Sequence, residues 1–145
     1  SGARHTRICV NLTIVLGTFV KARKLGEVLD SGVGFRLPDG NVRSPDASFT
    51  AAHRLADHPL ADDFSEVVPD LVVEVLSPNE RPRHVLDKVG EYLEAGVRLV
   101  WVIDPRKAKA DVYRSLSGVT EVTADEDLDG EDVLPGFRVR LSDLL

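Results

Sequence analysis

Pro69-Asp70-Leu71-Val72-Val73-Glu74-Val75-Leu76-Ser77-Pro78, with the run Arg98-Leu99-Val100-Trp101-Val102-Ile103-Asp104-Pro105 that follows it, is the stretch that decides the fold. Leu71 to Leu76 is apolar on both faces apart from Glu74, the pattern of a strand buried inside a sheet. Ser77-Pro78-Asn79 ends it. Pro82 suits the first turn of a helix running to Ala95, with Val85, Leu86, Val89, Tyr92 and Leu93 as its apolar stripe and Gly96 as its close. Arg98 to Ile103 reads as a second buried strand, stopped by Asp104-Pro105. Strand, helix and strand of these lengths predict a right-handed crossover with the two strands parallel and adjacent or nearly so.

Upstream, Ile8, Leu12, Val15, Leu16 and Phe19 recur at helical spacing, predicting an amphipathic helix from His5 to about Lys24 with Gly26 as its stop. The cations Lys21, Arg23 and Lys24 suit its C-terminus. Short extended segments follow at Glu27 to Leu29, Gly34 to Leu37 and Val42 to Thr50, read as a meander broken at Ser31-Gly32 and at Pro38-Asp39-Gly40-Asn41. A polar stretch occupies Ala56 to Glu66. Downstream, Ala110 to Ser115 and Val119 to Thr123 suggest an antiparallel hairpin across Ser117-Gly118, and Phe137 to Leu141 a last extended piece. The class is therefore α/β, one mixed β-sheet flanked by at least two helices.

At 145 residues the chain has the length of one ordinary domain. Its apolar runs are strand-sized, far below the ~20 residues of a membrane helix. Cys9 is the only cysteine, which excludes an intrachain disulfide, is read as leaving no Cys-based zinc site, and fits a buried thiol in a cytoplasmic protein. The net charge of −6 argues against bulk electrostatic coating of nucleic acid. The charge is unevenly spread: residues 1–60 hold 8 Lys and Arg against 5 Asp and Glu, residues 61–145 hold 10 against 19. Much of the acidity lies between Glu121 and Asp132, read as a solvated loop between strands.

Glu74 carries the most information, because a carboxylate buried among Val72 and Leu76 without a partner costs several kcal/mol. Either an ion pair at the sheet end or a metal ion compensates it. Asp46 stands where Pro45 hands over to an extended segment, and Pro-Asp alone is a common turn signal. Asp70 has a similar context and reads as structural. Lys88 falls at the shoulder of the second helix's stripe, beside Val85 and Tyr92, from where its ammonium can reach Glu74 or simply snorkel to water.

These residues also carry a family likeness. Arg43-Ser44-Pro45-Asp46-Ala47-Ser48-Phe49, the run from Pro69 to Asn79, Lys88 with Glu91-Tyr92-Leu93-Glu94-Ala95-Gly96-Val97, and Val100 to Pro105 together resemble the Uma-type restriction endonuclease family of the PD-(D/E)XK nuclease superfamily. The likeness runs from His5, through Gly34-Phe35 and Leu37-Pro38-Asp39-Gly40, to about Tyr113. It implies a restriction-endonuclease-like core and a metal-dependent endonuclease that hydrolyses phosphodiester bonds in DNA. Asp46 and Glu74 would be the metal carboxylates, the carbonyl of Val75 a further ligand, and Lys88 a helix-borne substitute for the usual strand lysine, whose place Leu76 takes. Members usually carry an acidic segment before the first helix that adds a carboxylate. Residues 1–145 are accordingly expected to form a single nuclease-like domain lacking that segment. His5 matches a position often held by histidine in the family, and is read as a site neighbour or, as easily, as a capping or exposed residue.

Hard oxygen ligands suit Mg²⁺ or Mn²⁺. The ion would activate water against a phosphodiester while Lys88 stabilises charge on the phosphate. Arg81, Arg83 and Arg98 are candidate backbone contacts, with solvated surface charge preferred for Arg98. A symmetric homodimer is expected of an enzyme that cuts two strands. A second reading keeps the fold as a nucleic-acid-binding or protein-binding module, with Asp46, Glu74 and Lys88 in a structural ion network; metal binding separates the two. A Ser or Cys hydrolase fares worst, since Ser77 and Cys9 show no His and acid partner in the sequence.

Overall fold

Ile8, Leu12, Leu16 and Val20 recur every fourth residue, and in a computed structural model of the chain they are the buried face of α1 (Ala3–Arg23). Residues 2–58 and 64–145 are described. The helix ends at Arg23, three residues before Gly26. Lys24 takes the left-handed conformation at φ 54°, and the backbone N–H groups of Lys24 and Leu25 bond back to Lys21 and Val20, closing the last turn as helix C-caps do. Gly26 has a different task, because a Cβ there would lie 2.0 Å from the Thr50 carbonyl oxygen. Only glycine lets the next strand approach so closely.

The strands then run β1 (Gly26–Asp30), β2 (Gly34–Arg36), β3 (Val42–Arg43) and β4 (Ala47–Ala51), followed by the single-turn α2 (Ala52–Leu55) and β5 (Phe64–Ser65). They do not form the expected meander. β1 pairs antiparallel with β4, Gly26 opposite Ala51 through Asp30 opposite Ala47, while β2 forms a separate small sheet with β3 and, in parallel, with β5. Long-range pairing has overridden chain order. Of the polar stretch from Ala56 to Glu66, residues 59–63 lie outside the described residues.

The deciding stretch folds as expected into β6 (Leu71–Val75), α3 (Pro82–Glu94) and β7 (Leu99–Asp104), with β6 and β7 parallel and adjacent. The hairpin β8 (Lys109–Tyr113) and β9 (Val119–Thr123) extends the main sheet, whose order is β1-β4-β6-β7-β8-β9. Its two faces bury different helices. Phe49, Leu71, Val73, Val75, Leu99, Trp101 and Ile103 share a core with α1, whereas Val72, Val100, Val102 and Tyr113 share one with Val85, Val89 and Tyr92 of α3. Alternate residues of one strand thus face opposite helices, and Glu74 falls on the α3 side.

The acidic stretch is only partly a loop. Asp127–Asp129 is β10, paired with β11 (Arg138–Arg140), and Leu128 between its carboxylates is fully buried in the α1 core. Arg138 lies 3.1 Å from Asp129. Among the described residues no helix is long and apolar enough to cross a membrane.

Candidate active site where β4 meets β6

The β4–β6 ladder ends with Ala47 opposite Val73, and Asp46 on one chain segment and Glu74 on the other stand one residue past that last pair. Two carboxylates from distant parts of the sequence are thereby brought to one strand end, near enough for the Asp46 charge to act on Glu74. An Asp46 carboxylate oxygen accepts the Val75 backbone N–H at 2.7 Å. Nε2 of His5, from the first turns of α1, is 3.0 Å from the Val75 carbonyl oxygen and 3.5 Å from the same Asp46 oxygen. The carbonyl can only accept, so Nε2 carries a proton and Nδ1 is turned towards Cys9, whose Sγ is 3.7 Å away.

Glu74 is 8% exposed. The Tyr92 hydroxyl donates to one of its oxygens at 2.7 Å, and Lys88 Nζ donates to the other at 3.3 Å. Lys88 also reaches Glu80 at 2.9 Å. Glu80 in turn accepts the Ser77 N–H and hydroxyl, both at 3.4 Å. A chain of alternating donors and acceptors thus runs from Ser77 through Glu80, Lys88 and Glu74 to Tyr92.

Burial raises the pKa of the Glu74 carboxyl, with the Asp46 charge adding to it, against the opposing pull of Lys88 and the Tyr92 hydrogen bond. For Lys88, burial pulls the pKa down, but the hydrogen bond and charge of Glu80 together with Glu74 outweigh it and leave the ammonium more firmly protonated than usual. Burial acts on Glu80 too, yet its bonds to Lys88 and Ser77 prevail and hold its carboxyl below the ordinary range. Tyr92 is held as a neutral phenol, pushed up by burial and then by the Glu74 charge. Cys9 is pushed up to about 11 by burial and by Asp46 and Glu74.

The structure brings Asp46, Glu74, Val75 and Lys88 together. It also brings in His5, half-buried against Val75 rather than exposed or capping. Cys9, read as lacking partners and as no basis for a zinc site, has both His5 and, through it, Asp46 within reach, because one cysteine suffices when a histidine and a carboxylate converge on it. The Tyr92 hydroxyl and Glu80 went unread. Tyr92 looked like part of an apolar stripe, and the one clue was that a buried phenol needs an acceptor. Arg81 and Arg83 stand exposed at the start of α3, beside Ser77, Asn79 and His84 around an open cleft of ≈600 Å³. Arg98 instead pairs with Asp132 at 3.2 Å. Asp70 binds the Ala51 N–H at 2.8 Å and Arg54 at 3.1 Å, an anchor between β4 and β6.

The sequence profile described as "Uma2: Putative restriction endonuclease" matches residues 1–142. The chain belongs to the Uma2 family. No curated protein matches this Uma2-family chain in sequence. Its fold is similar to that of a crystal structure from Anabaena variabilis ATCC 29413 titled as a "putative nuclease belonging to DUF820". The TM-score is 0.86 at 19% identity, over 99% of this chain and 81% of the other.

Proposed function

We propose that this Uma2-family chain is a metal-dependent endonuclease acting on DNA, with Asp46, Glu74 and the Val75 carbonyl as metal ligands and Lys88 as the assisting cation. The observation that carries this reading is that Asp46 and Glu74 come to one end of the β4–β6 ladder, near enough for the Asp46 charge to act on Glu74, with Lys88 paired to Glu74. The donor set fits a hard dication. Its protein donors are oxygens, the burial of Glu74 favours a compensating positive charge, and the Val75 oxygen keeps a second lone pair beside its bond to His5.

A bound Mg²⁺ or Mn²⁺ would supply charge on the phosphate and an activated water. The side chains do the rest. Lys88, fixed between Glu74 and Glu80, holds its charge where negative charge grows on a phosphoryl group. Tyr92 orients the Glu74 carboxylate, and His5 fixes the Val75 carbonyl. Arg81 and Arg83 supply exposed positive charge for backbone phosphates, which position a duplex without reading its sequence.

A second reading has one observation in its favour: Glu74, Lys88, Glu80 and Tyr92 satisfy one another without an ion. It treats the group as a structural network in a binding module. The test is nicking of supercoiled plasmid in Mg²⁺ or Mn²⁺ by the parent, Glu74→Ala and Lys88→Ala, with an EDTA control. Metal-dependent nicking lost in both variants supports the nuclease. Absence of nicking, together with calorimetry that detects no Mg²⁺ or Mn²⁺ binding, supports the network.

A further inference from the structure

On the α1 side of the Val75 backbone, away from Lys88, a different donor set gathers. His5 and Cys9 lie one helical turn apart on α1 and so share a face. Asp46 reaches the same point from the segment before β4. One ligand atom from each of the three lies within 4.8 Å of the others. Imidazole, thiol and carboxylate form a borderline-soft set, unlike the oxygens around Glu74.

We infer that His5, Cys9 and Asp46 form a binding site for a zinc-type dication, with solvent in the fourth position. His5 is already arranged as a zinc-binding histidine is. Its Nε2–H is committed to the Val75 carbonyl at 3.0 Å, which fixes the ring and leaves Nδ1 facing Cys9. Outer hydrogen bonds of this kind to a backbone carbonyl orient metal-binding imidazoles. The Sγ to Nδ1 separation is 3.7 Å, close to the about 3.6 Å that tetrahedral Zn–S and Zn–N bonds impose. The charge also matches. Among the described residues Asp46 makes no ion pair with a lysine or arginine, its neighbour being His5 Nε2 at 3.5 Å, so its charge is left for a cation.

Access is open. All three residues are half-buried rather than sealed, beside a cleft of ≈360 Å³ that continues past Thr6, Thr13 and Asp30. Binding would replace the thiol proton, released to solvent, and leave a metal thiolate. A cysteine nucleophile served by His5 is the weaker use of the same atoms, since a nucleophilic thiol calls for positive surroundings and here Asp46 and Glu74 face it. The inference stands whether or not the chain cleaves DNA.

Co²⁺ is the probe, because it occupies zinc sites and its bond to a thiolate gives a charge-transfer absorption. Titration of the 145-residue chain should produce that band, saturating at one equivalent and displaced by Zn²⁺. Cys9→Ser should lose the band, while His5→Ala and Asp46→Asn should weaken Co²⁺ binding at least about tenfold, the lower bound for groups that merely support a ligand. Glu74→Gln should keep the band. Far-ultraviolet circular dichroism of each variant checks that it remains folded. A parent without the band, a band indifferent to His5→Ala and Asp46→Asn, or one abolished by Glu74→Gln in a folded protein overturns the site.

Discussion

Replacing Glu74 by Gln tests what a buried charge does in the metal-free protein. The folded pKa of Glu74 is raised, first by burial, so the folded state holds this proton more tightly than the unfolded one. The stability this contributes is complete below the ordinary value of 4.5 and is lost as pH rises through the folded value. In EDTA the Glu74→Gln variant should therefore melt above the parent at neutral pH, by on the order of 1 kcal/mol, and lack the parent's decline just above pH 4.5. Glu80 has the opposite sign: its folded pKa is lowered, so its contribution is present above 4.5 and fades as pH falls through the folded value. Melting temperature against pH for the parent, Glu74→Gln and Glu80→Gln resolves the two windows, and a Glu74→Gln variant less stable than the parent at neutral pH would sink the account. Lys88→Ala should lose about 100-fold or more in cleavage rate, as removal of a charge-stabilising donor does, measured as single-turnover nicking. Glu74 and Lys88 were legible in the sequence because a carboxylate in an apolar strand and a lysine beside an apolar stripe stand out. Cys9 and the Tyr92 hydroxyl were not, because what they touch depends on how whole helices dock.

The start of α3 is where the proposed DNA contact should be felt. Pro82 opens the helix, no acidic residue lies in its first turn, and Arg81 and Arg83 are exposed around the cleft that includes Ser77 and Asn79. If both arginines neutralise phosphates, Arg81→Ala with Arg83→Ala should make the slope of log Kobs against log salt shallower by about 2, near one for each phosphate left without its cation. Fluorescence anisotropy of a labelled duplex in Ca²⁺, across a salt series, measures it; an unchanged slope would place the DNA elsewhere. Arg98→Ala should leave the slope alone, since that side chain is engaged with Asp132. The same local reasoning explains which elements could be read in advance. The β6–α3–β7 unit announced itself through contiguous apolar runs and a Pro-to-Gly frame, and the β8–β9 hairpin through a short turn. The β1–β4 ladder did not, because its partners are separated by the β2–β3 excursion, and nothing in a local pattern encodes a long-range pairing. The strand β10 was hidden by composition: one buried Leu128 between aspartates carries too little periodicity to be told from a solvated loop.

The residues beyond β9 close the α1 side of the molecule, and this links stability to the site at a distance. Leu128, Leu134, Phe137, Leu141 and Leu144 are buried in the same core as Ile8, Leu12, Leu16 and Val20. Phe137 meets Phe19 of α1 edge-on at 5.2 Å and lies nearly parallel to Trp101 of β7 at 6.0 Å, so one ring joins helix, sheet and C-terminal segment. Polar contacts follow the same path. Arg7 donates to the Leu145 carbonyl and Asn11 to the Leu144 carbonyl at 3.0 Å, both from the part of α1 that carries His5 and Cys9. If residues 1–145 fold as one unit, as we expect, Phe137→Ala should destabilise the whole by about 3–5 kcal/mol and move the urea midpoint without changing the slope. A second, earlier transition with a smaller slope would instead mark the C-terminal segment as separately cooperative. In the one-unit case metal binding below the unfolding range should match the parent, because His5, Asp46 and Glu74 are positioned by Val75, Lys88 and Tyr92 rather than by Phe137. Calorimetric Mn²⁺ binding to folded Phe137→Ala distinguishes a missing core ring from a displaced helix, for only the latter carries His5 away from the Val75 carbonyl.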